Sequence, residues 1–476
     1  MRVSEHYWLG IDQPSLDFVD VRLETDTPLF IDPTALSLLD TEWGARCRSL
    51  IQDYFSLVLA CIRDGDHTRA RRLLASLNEP NETRLGFSTD RPRGHGMGKK
   101  LAETMWEALR DSNAVRTGII HDLEDTALMI DGVASDVISD IVTNIIREPL
   151  LEYTKDMCEQ YGIPLVDNIA SRPIWNMSQQ QWQNRHVQQP VADGERLLLV
   201  PKALVRKTIT YQADNYYNLY LLERLQEEEV SQGFVRLLKN GQERPPTKKS
   251  LKERYGEGKE QNRRLTPGRE DVLDKYRDDK RDNPREPLSH ERFAETAGTP
   301  APDWDALLAA LGNIEPGRSD AHAYEVAVKN LFDAMFYPWL MYPETQTRIH
   351  DGRKIIDITY MNMAQDDFFR WLRDHYPAQY IIVECKNYTD DPANNEIDQL
   401  SGRFSPRRGK FCILVCRSVT DKDTMVARCR DTANDDRGFM IVLDDSDVRE
   451  LVNAIRTAPA DVKLQMLRDK FQQLVM

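Results

Sequence analysis

Two residues with opposite charge, Glu384 and Lys386, stand two positions apart at the end of an apolar segment of this chain. The segment 380–387 reads YIIVECKN, and its apolar start is typical of a buried strand. Because successive side chains of a strand point to opposite faces, Glu384 and Lys386 share one face. A carboxylate beside an ammonium at a strand end can hold a divalent cation and orient a water molecule for phosphodiester hydrolysis.

Further carboxylates precede this strand. Residues 347–360 predict a hairpin around the Asp-Gly turn signal at 351–352, and Asp357 interrupts the apolar pattern of its second strand. Before the hairpin, residues 321–340 have apolar side chains at helical spacing, with Glu325 near the first turn. The sequence therefore predicts two elements, a strand and a helix, that carry acids toward the strand with Glu384.

The segments after the hairpin alternate between helical and strand patterns. They predict a short helix at 365–375, the strand with Glu384, a helix at 395–404 that contains Gln399, a strand at 411–416, a helix at 421–434 and a strand at 439–443. A region in which strands alternate with helices favours a sheet flanked by helices.

This order of elements, with its acids and lysine, resembles the PD-(D/E)xK restriction-endonuclease-like superfamily and, within it, the Mrr-like branch. The resemblance covers roughly residues 321–454. It implies an α/β (α+β) C-terminal domain with a mixed central sheet flanked by helices.

The resemblance also implies roles for individual residues. Asp357 and Glu384 match the metal-binding acids, and Glu325 matches the acid often found on the first helix. Lys386 matches the lysine on the attacking water, and Gln399 resembles a glutamine that Mrr-like members carry.

Two positions depart from the family pattern. Ile356 stands where the motif name has proline. Asp357 and Glu384 are 384 − 357 = 27 positions apart, a long gap that the predicted helix at 365–375 would fill.

The residue types themselves indicate the cofactor. Hard oxygen ligands from Asp357 and Glu384 suit Mg²⁺ or Mn²⁺, which keep several waters and need only one or two carboxylates. Simpler explanations stay open: Glu384 and Lys386 can form a cross-strand ion pair, Asp357 can be a structural carboxylate, and Glu325 can interact with the helix dipole.

The resemblance implies DNA rather than RNA as substrate and a role in host defence, such as restriction of phage DNA. It also implies a homodimer or higher oligomer, because cutting both strands needs two active centres. Nothing in the chain resembles a motor, so translocation would need a separate ATPase or sensor subunit. Two alternatives remain: a nucleic-acid-binding or regulatory module with this fold that does not cut, and an RNA-directed nuclease.

Composition and charge limit the function further. The chain has 476 residues, of which 41% are hydrophobic and 29% charged, and its net charge of −14 does not suit indiscriminate coating of nucleic acid. A nuclease with this balance must concentrate positive charge locally. The predicted nucleic-acid contacts are the four basic residues just after the Gln399 helix, namely Arg403, Arg407, Arg408 and Lys410.

Cysteine usage and hydropathy predict the compartment. The seven scattered cysteines favour a reducing cytoplasm, and no His or Cys spacing matches a zinc site. No apolar run approaches the ~20 residues of a membrane span, and the N-terminus lacks a secretory apolar segment. We expect a cytoplasmic protein with no membrane association.

The length predicts two or three domains. We expect a mixed, mainly helical N-terminal domain at 1–240 with an unknown recognition role, a charged linker at 241–295 and the nuclease domain at 296–476. The alternating segments 16–23 and 28–31 suggest an early hairpin, and the apolar spacing over 133–161 predicts one long helix.

Overall fold

The structure is a computed structural model that describes residues 1–87, 97–110, 112, 115, 118–234, 236–237, 243–459 and 462–476. The chain forms two compact units, each built from two stretches of sequence. The first unit comprises Met1–Leu9 and Val21–Pro287, and the second comprises Gly10–Asp20 and Leu288–Met476.

Helices dominate the first unit. They are α1 (Val3–His6), α2 (Pro33–Ser37), α3 (Glu42–Arg63), α4 (His67–Leu74), α5 (Met97–Arg110), α6 (Asp125–Met129), α7 (Ser135–Ile145), α8 (Arg147–Tyr161), α9 (Ala213–Tyr216), α10 (Leu222–Ser231), α11 (Lys248–Tyr255), α12 (Lys259–Leu265) and α13 (Glu270–Asp282). A π-helical turn, Tyr217–Leu221, joins α9 to α10, and 3₁₀ turns lie at Asn81–Thr83 and Lys202–Leu204. The expectation of a mixed, mainly helical N-terminal region is confirmed at this level.

The strands of the first unit are short. They are β1 (Phe30–Ile31), β2 (Val166–Ala170), β3 (Ile174–Asn176), β4 (Gln181–Gln183), β5 (His186–Gln189), β6 (Val191–Ala192), β7 (Glu195–Arg196), β8 (Val205–Arg206), β9 (Arg236–Leu237) and β10 (Glu243–Arg244). They pair in twos: β1 with β8, β2 with β5, β3 with β4, β6 with β7 and β9 with β10. The expected hairpin between 16–23 and 28–31 is wrong, because β1 pairs with β8 far along the chain.

The core of the first unit forms around α3. Tyr54 of this helix meets Trp175 and Trp182 edge to face, and the Trp175 indole donates to Asp53 Oδ2 at 3.0 Å. The predicted single helix over 133–161 is two helices, since the backbone breaks at Ile146 (φ −90°, ψ 19°) between α7 and α8.

The charged segment 241–295 holds helices that pack within the first unit. The Asn262 amide of α12 donates to Leu128 O at 2.9 Å, and Arg277 of α13 forms an ion pair with the buried Asp125 at 2.5 Å. Paired charges therefore order a stretch whose composition resembles that of a linker. The compact units divide at Pro287 and Leu288, within the segment expected as the linker.

The second unit contains the long strands of the chain. Its elements are a 3₁₀ turn at Gln13–Ser15, helices α14 (His290–Ala297), α15 (Trp304–Gly312) and α16 (Ala321–Phe336), strands β11 (Leu340–Ile349) and β12 (Lys354–Asn362), helix α17 (Asp367–His375), strand β13 (Tyr380–Lys386), helix α18 (Asn394–Ser401), strand β14 (Phe411–Cys416), helix α19 (Lys422–Asn434), strand β15 (Phe439–Asp444), and helices α20 (Asp445–Thr457) and α21 (Gln465–Val475).

These five strands form one mixed sheet in the order β11-β12-β13-β14-β15. β11, β12 and β13 are antiparallel neighbours, whereas β13, β14 and β15 run parallel and are connected through α18 and α19. Strand β14 is buried along its full length. The predicted mixed sheet with flanking helices is confirmed.

The stretch Gly10–Asp20 belongs to this second unit although it lies near the chain start. Its turn packs on α16, where Ser15 Oγ donates to Asn330 O at 2.8 Å. Leu16 and Phe18 are fully buried. The helix that carries Glu325 is therefore supported by the N-terminal stretch.

Candidate active site

The register of β12 and β13 brings two acids to one position of the sheet. Ile358 pairs with Val383, so the next pair outward sets Asp357 opposite Glu384. Side chains directly opposite in an antiparallel pair point to the same face. Lys386 follows Glu384 by two residues and shares that face, at the carboxyl end of β13.

Glu384 is the most buried of these groups, with 1% of its surface exposed. Lys386 Nζ donates to its Oε1 at 3.0 Å, and Arg403 Nη1 donates to its Oε2. Two cations therefore balance one carboxylate, which is how a buried charge is tolerated.

Asp357 binds the backbone of the neighbouring strand. Its Oδ2 accepts from the Cys385 N–H at 2.9 Å, just beyond the last ladder pair of β12 and β13. Burial raises the pKa of Asp357, while the Cys385 N–H, Lys386 and Arg403 act in the opposite direction. Desolvation outweighs this support, so the ionised form of Asp357 is disfavoured relative to a carboxyl in water.

Glu325 lies one turn into α16. Its Oε2 accepts from Gln346 Nε2 at 2.9 Å, and the His322 ring lies 3.6 Å away. Burial raises the pKa of Glu325, and the charge of Asp357 raises it further, whereas His322 and Lys386 lower it. The charges of Asp357 and Lys386 therefore act on the Glu325 carboxyl in opposite directions.

The remaining predicted residues differ from one another in exposure and in their contacts. Gln399 is exposed on α18. Arg408 donates to the Arg403 backbone carbonyl, and Lys410 forms an ion pair with Asp436 at 3.2 Å. Arg407 is exposed. Of the four basic residues expected to contact phosphate, Arg403 instead contacts an acid of the candidate site.

Sequence reasoning did not identify His322 and Gln346 as partners of Glu325. His322 stands three positions before Glu325 on the same helix, a spacing that makes two side chains neighbours, so the sequence carried a signal for it. Gln346 comes from β11, and no local pattern connects a strand residue to a helix.

Asn387 is another residue that the sequence did not single out. It follows Lys386 directly and is 3% exposed. Its amide nitrogen donates to Glu315 O and Gly317 O, both at 2.9 Å, whereas its buried Oδ1 has no hydrogen-bond partner among the residues that the structure describes. These bonds fix the chain where it leaves the end of β13.

The acids fit a cation that needs few protein ligands. In the described part of the chain, no three His, Cys, Asp or Glu residues are grouped closely enough to hold a metal ion. Mg²⁺ commonly takes one or two carboxylates and completes its shell with waters and substrate phosphate. Asp357 and Glu384 stand opposite each other beyond the last pair of β12 and β13, and both oxygens of Glu384 bind cationic side chains, Lys386 and Arg403.

Across the residues that the structure describes, no helix has both the length and the apolar character needed to cross a bilayer.

Comparison with known proteins gives one result for the N-terminal half. A family model described as a domain of unknown function, DUF8370, matches residues 9–212. No curated protein and no solved structure matches the chain.

Proposed function

We propose that the second unit is a metal-dependent endonuclease that hydrolyses phosphodiester bonds, with DNA as its substrate. The observation that carries this proposal is the meeting of Asp357, Glu384 and Lys386 on one face at the end of β13. The likeness to the restriction-endonuclease-like superfamily, drawn from the sequence, supports the same reading of these residues.

In this proposal Asp357 and Glu384 would hold Mg²⁺ or Mn²⁺, with Glu325 as a further acid at the site. When bound, such a cation would supply positive charge at the phosphate and help to activate the attacking water. Lys386 donates a hydrogen bond that orients the attacking water, and its contact with Glu384 fixes where the ammonium lies. Arg403 leaves Glu384 and turns to the phosphate oxygens, for which a guanidinium is well suited.

A role in host defence extends this proposal by analogy with the family. A homodimer would provide two active centres for the two strands of a duplex, and a separate ATPase or sensor subunit would provide control.

The test is plasmid cleavage by the purified chain in Mg²⁺. We expect nicking or linearisation that a chelator abolishes, and we expect Lys386→Ala to lower the rate at least ~100-fold, because the group on the attacking water is lost. Lys422→Ala is the matched control, since Lys422 is an exposed lysine of the same unit paired with Asp444 and Asp447. Cleavage by Lys386→Ala at the wild-type rate would refute the proposed role.

A second candidate is a nucleic-acid-binding or regulatory module that does not cut. The observation in its favour is that both oxygens of Glu384 already bind cationic side chains, so the buried charge is balanced without a metal. This reading predicts no cleavage of DNA or RNA and no heat of Mg²⁺ binding in titration calorimetry. Offering both nucleic acids side by side also distinguishes a DNA-directed from an RNA-directed nuclease.

A further inference from the structure

The first unit contains a polar cavity of about 340 Å³ that the nuclease proposal does not use. It lies between α2, α3, the loop before α6 and the end of α13. Its volume is within the range of small-molecule sites. Nine of its thirteen lining residues have polar side chains, so its chemistry suits a hydrophilic ligand. We call it the α2–α3 cavity.

One lining group lacks a partner. Thr34 is 7% exposed, and its buried Oγ1 makes no hydrogen bond within the described ranges of the chain. The hydroxyl is not needed to begin α2, because Asp32 already accepts from the Thr34 N–H at 3.1 Å. A buried hydroxyl without a partner is unfavourable, so the Thr34 side chain would gain from any acceptor that reaches it.

Two guanidinium groups face the same space. Arg48 of α3 uses only Nη1 to bind the carbonyls of Leu36 and Leu39, and within the described chain its Nε and Nη2 make no hydrogen bond. Arg281, at the end of α13, donates to Asp278 with Nη1 and is 66% exposed at the cavity rim. Both arginines therefore keep donors for a ligand.

The acids of the lining oppose this positive charge only in part. Burial raises the pKa of Glu124 to about 8, and the nearby Asp122, Asp125 and Asp32 add to the rise. At neutral pH Glu124 is therefore largely protonated and can donate a hydrogen bond. The other lining acid, Asp122, is exposed. Burial and the charge of Asp125 raise its pKa, whereas Arg277, His121 and Arg281 lower it. The cavity therefore combines two guanidinium groups and a protonated Glu124 with one carboxylate.

We propose that the α2–α3 cavity binds a small organic anion, a phosphate monoester or a carboxylate. Arg48 and Arg281 hold its charge, and the Thr34 hydroxyl donates to one of its oxygens. A guanidinium presents paired donors that match both kinds of anion.

The experiment is titration calorimetry of the full chain at pH 7 with inorganic phosphate, glucose 6-phosphate and citrate, with glucose as the uncharged comparison. We expect at least one anion to bind with a dissociation constant below ~1 mM, and glucose not to bind. Binding of glucose 6-phosphate without citrate would assign a phosphate ligand, and the reverse would assign a carboxylate.

Variants distinguish binding of the anion in this cavity from binding to charged groups elsewhere on the surface. We expect Arg281→Gln to weaken binding about tenfold and Thr34→Val to weaken it about fivefold. Thr34→Val should leave the melting temperature unchanged or higher, because it removes an unpaired buried hydroxyl, so its effect on binding cannot be a loss of fold. The control is Arg71→Gln, an exposed arginine of the same unit paired with Glu103, which should bind within twofold of wild type.

Either of two results would overturn the proposal. One is the absence of binding by all three anions at about 5 mM. The other is equal affinity in wild type, Thr34→Val and Arg281→Gln, which would place the anion elsewhere. The readout is binding, so neither result depends on whether the chain cleaves DNA.

Discussion

Glu384 lies where almost no water reaches it, and two cationic side chains of different origin contact its carboxylate oxygens. Lys386 comes from the same strand and is fixed by β13, whereas Arg403 comes from the loop after α18. A side chain from a loop can be exchanged for another cation at lower cost than one held by a strand. In the proposed metal site, Arg403 would therefore be the side chain that gives way to the ion.

Substitution of Arg403 tests this exchange. We expect Arg403→Gln to lower the free energy of unfolding by about 2 kcal/mol without metal, because Glu384 loses one of its two cations. Added Mg²⁺ should then raise the melting temperature more in the variant than in wild type. The control Arg437→Gln removes an exposed pair with Asp398 and should leave the melting temperature nearly unchanged. An equal Mg²⁺ effect in both proteins would contradict a metal at Glu384.

The raised pKa of Asp357 leads to a prediction about how the stability of the protein depends on pH. Its pKa is raised by burial from an ordinary value of 3.8, so the unfolded chain loses this proton at a lower pH than the folded one. Stability is therefore lost as pH rises from 3.8 through the folded pKa. We expect Asp357→Asn to abolish the proposed cleavage. We also expect the melting temperature of this variant, minus that of wild type, to increase as pH rises from about 4 to about 8.

The control for this prediction is Asp351→Asn in the exposed turn between β11 and β12, where the carboxylate is 88% exposed. Thermal melts of the three proteins at several pH values measure the effect. A difference between Asp357→Asn and wild type that does not change with pH would show that Asp357 titrates normally.

The loop that carries Arg403 is held against β13 by a glycine. Gly409 has φ +103°, and a Cβ there would lie 2.8 Å from Tyr380 O and 3.2 Å from Pro377 O. Only glycine avoids both the strained backbone and this contact. The close approach determines where the loop, and with it Arg403, meets the sheet.

Replacement of Gly409 by alanine should therefore destabilise the fold. We expect Gly409→Ala to lower the free energy of unfolding by about 3 kcal/mol, from backbone strain and the clash with backbone oxygens. Gly352→Ala is the matched control, because Gly352 has φ +82° but a Cβ there would meet no atom within 4 Å, and it should cost about 1 kcal/mol. Equal losses in urea denaturation would mean that the contact with β13 is unimportant.

The secondary elements of the second unit were predictable because their patterns are local. The strand predicted at 411–416 is β14 with the same bounds, and the helix predicted at 421–434 is α19, which begins one residue later. A fully apolar run between turn signals has few alternatives in a mixed sheet. Helices α20 and α21 were not separately predicted.

Pairing over long distances was not predictable. β1 pairs with β8, and nothing in either two-residue strand specifies its partner. The same holds for the candidate site: the strand periodicity placed Glu384 and Lys386 on one face, but Arg403 reaches Glu384 from a loop without periodicity. A long flexible side chain has too many rotamers for sequence spacing to fix its contact.

The division of the chain into units gives the broadest prediction. A fragment of residues 288–476 lacks Gly10–Asp20, whose Leu16 and Phe18 are fully buried in the complete chain. We expect this fragment to melt at a lower temperature than a version that carries residues 10–20 joined through a flexible glycine-serine linker, because their apolar surface is restored.

The joined version with Phe18→Asp is the control, and it should behave like the bare fragment because a charge replaces a buried ring. Circular dichroism melts of the three proteins measure the difference. If the bare fragment is as stable as the joined version, the N-terminal stretch does not belong to the folding unit.

Because the second unit draws on two stretches that lie far apart in the sequence, translation imposes an order on folding. Residues 10–20 leave the ribosome early and must wait for Leu288–Met476, while Val21–Pro287 can already fold behind them. Any nascent chain that stops after Pro287 presents the apolar side chains of Leu16 and Phe18 to solvent, a surface that chaperones and proteases recognise. An incomplete product would thus be marked for removal before it carries any of the candidate acids.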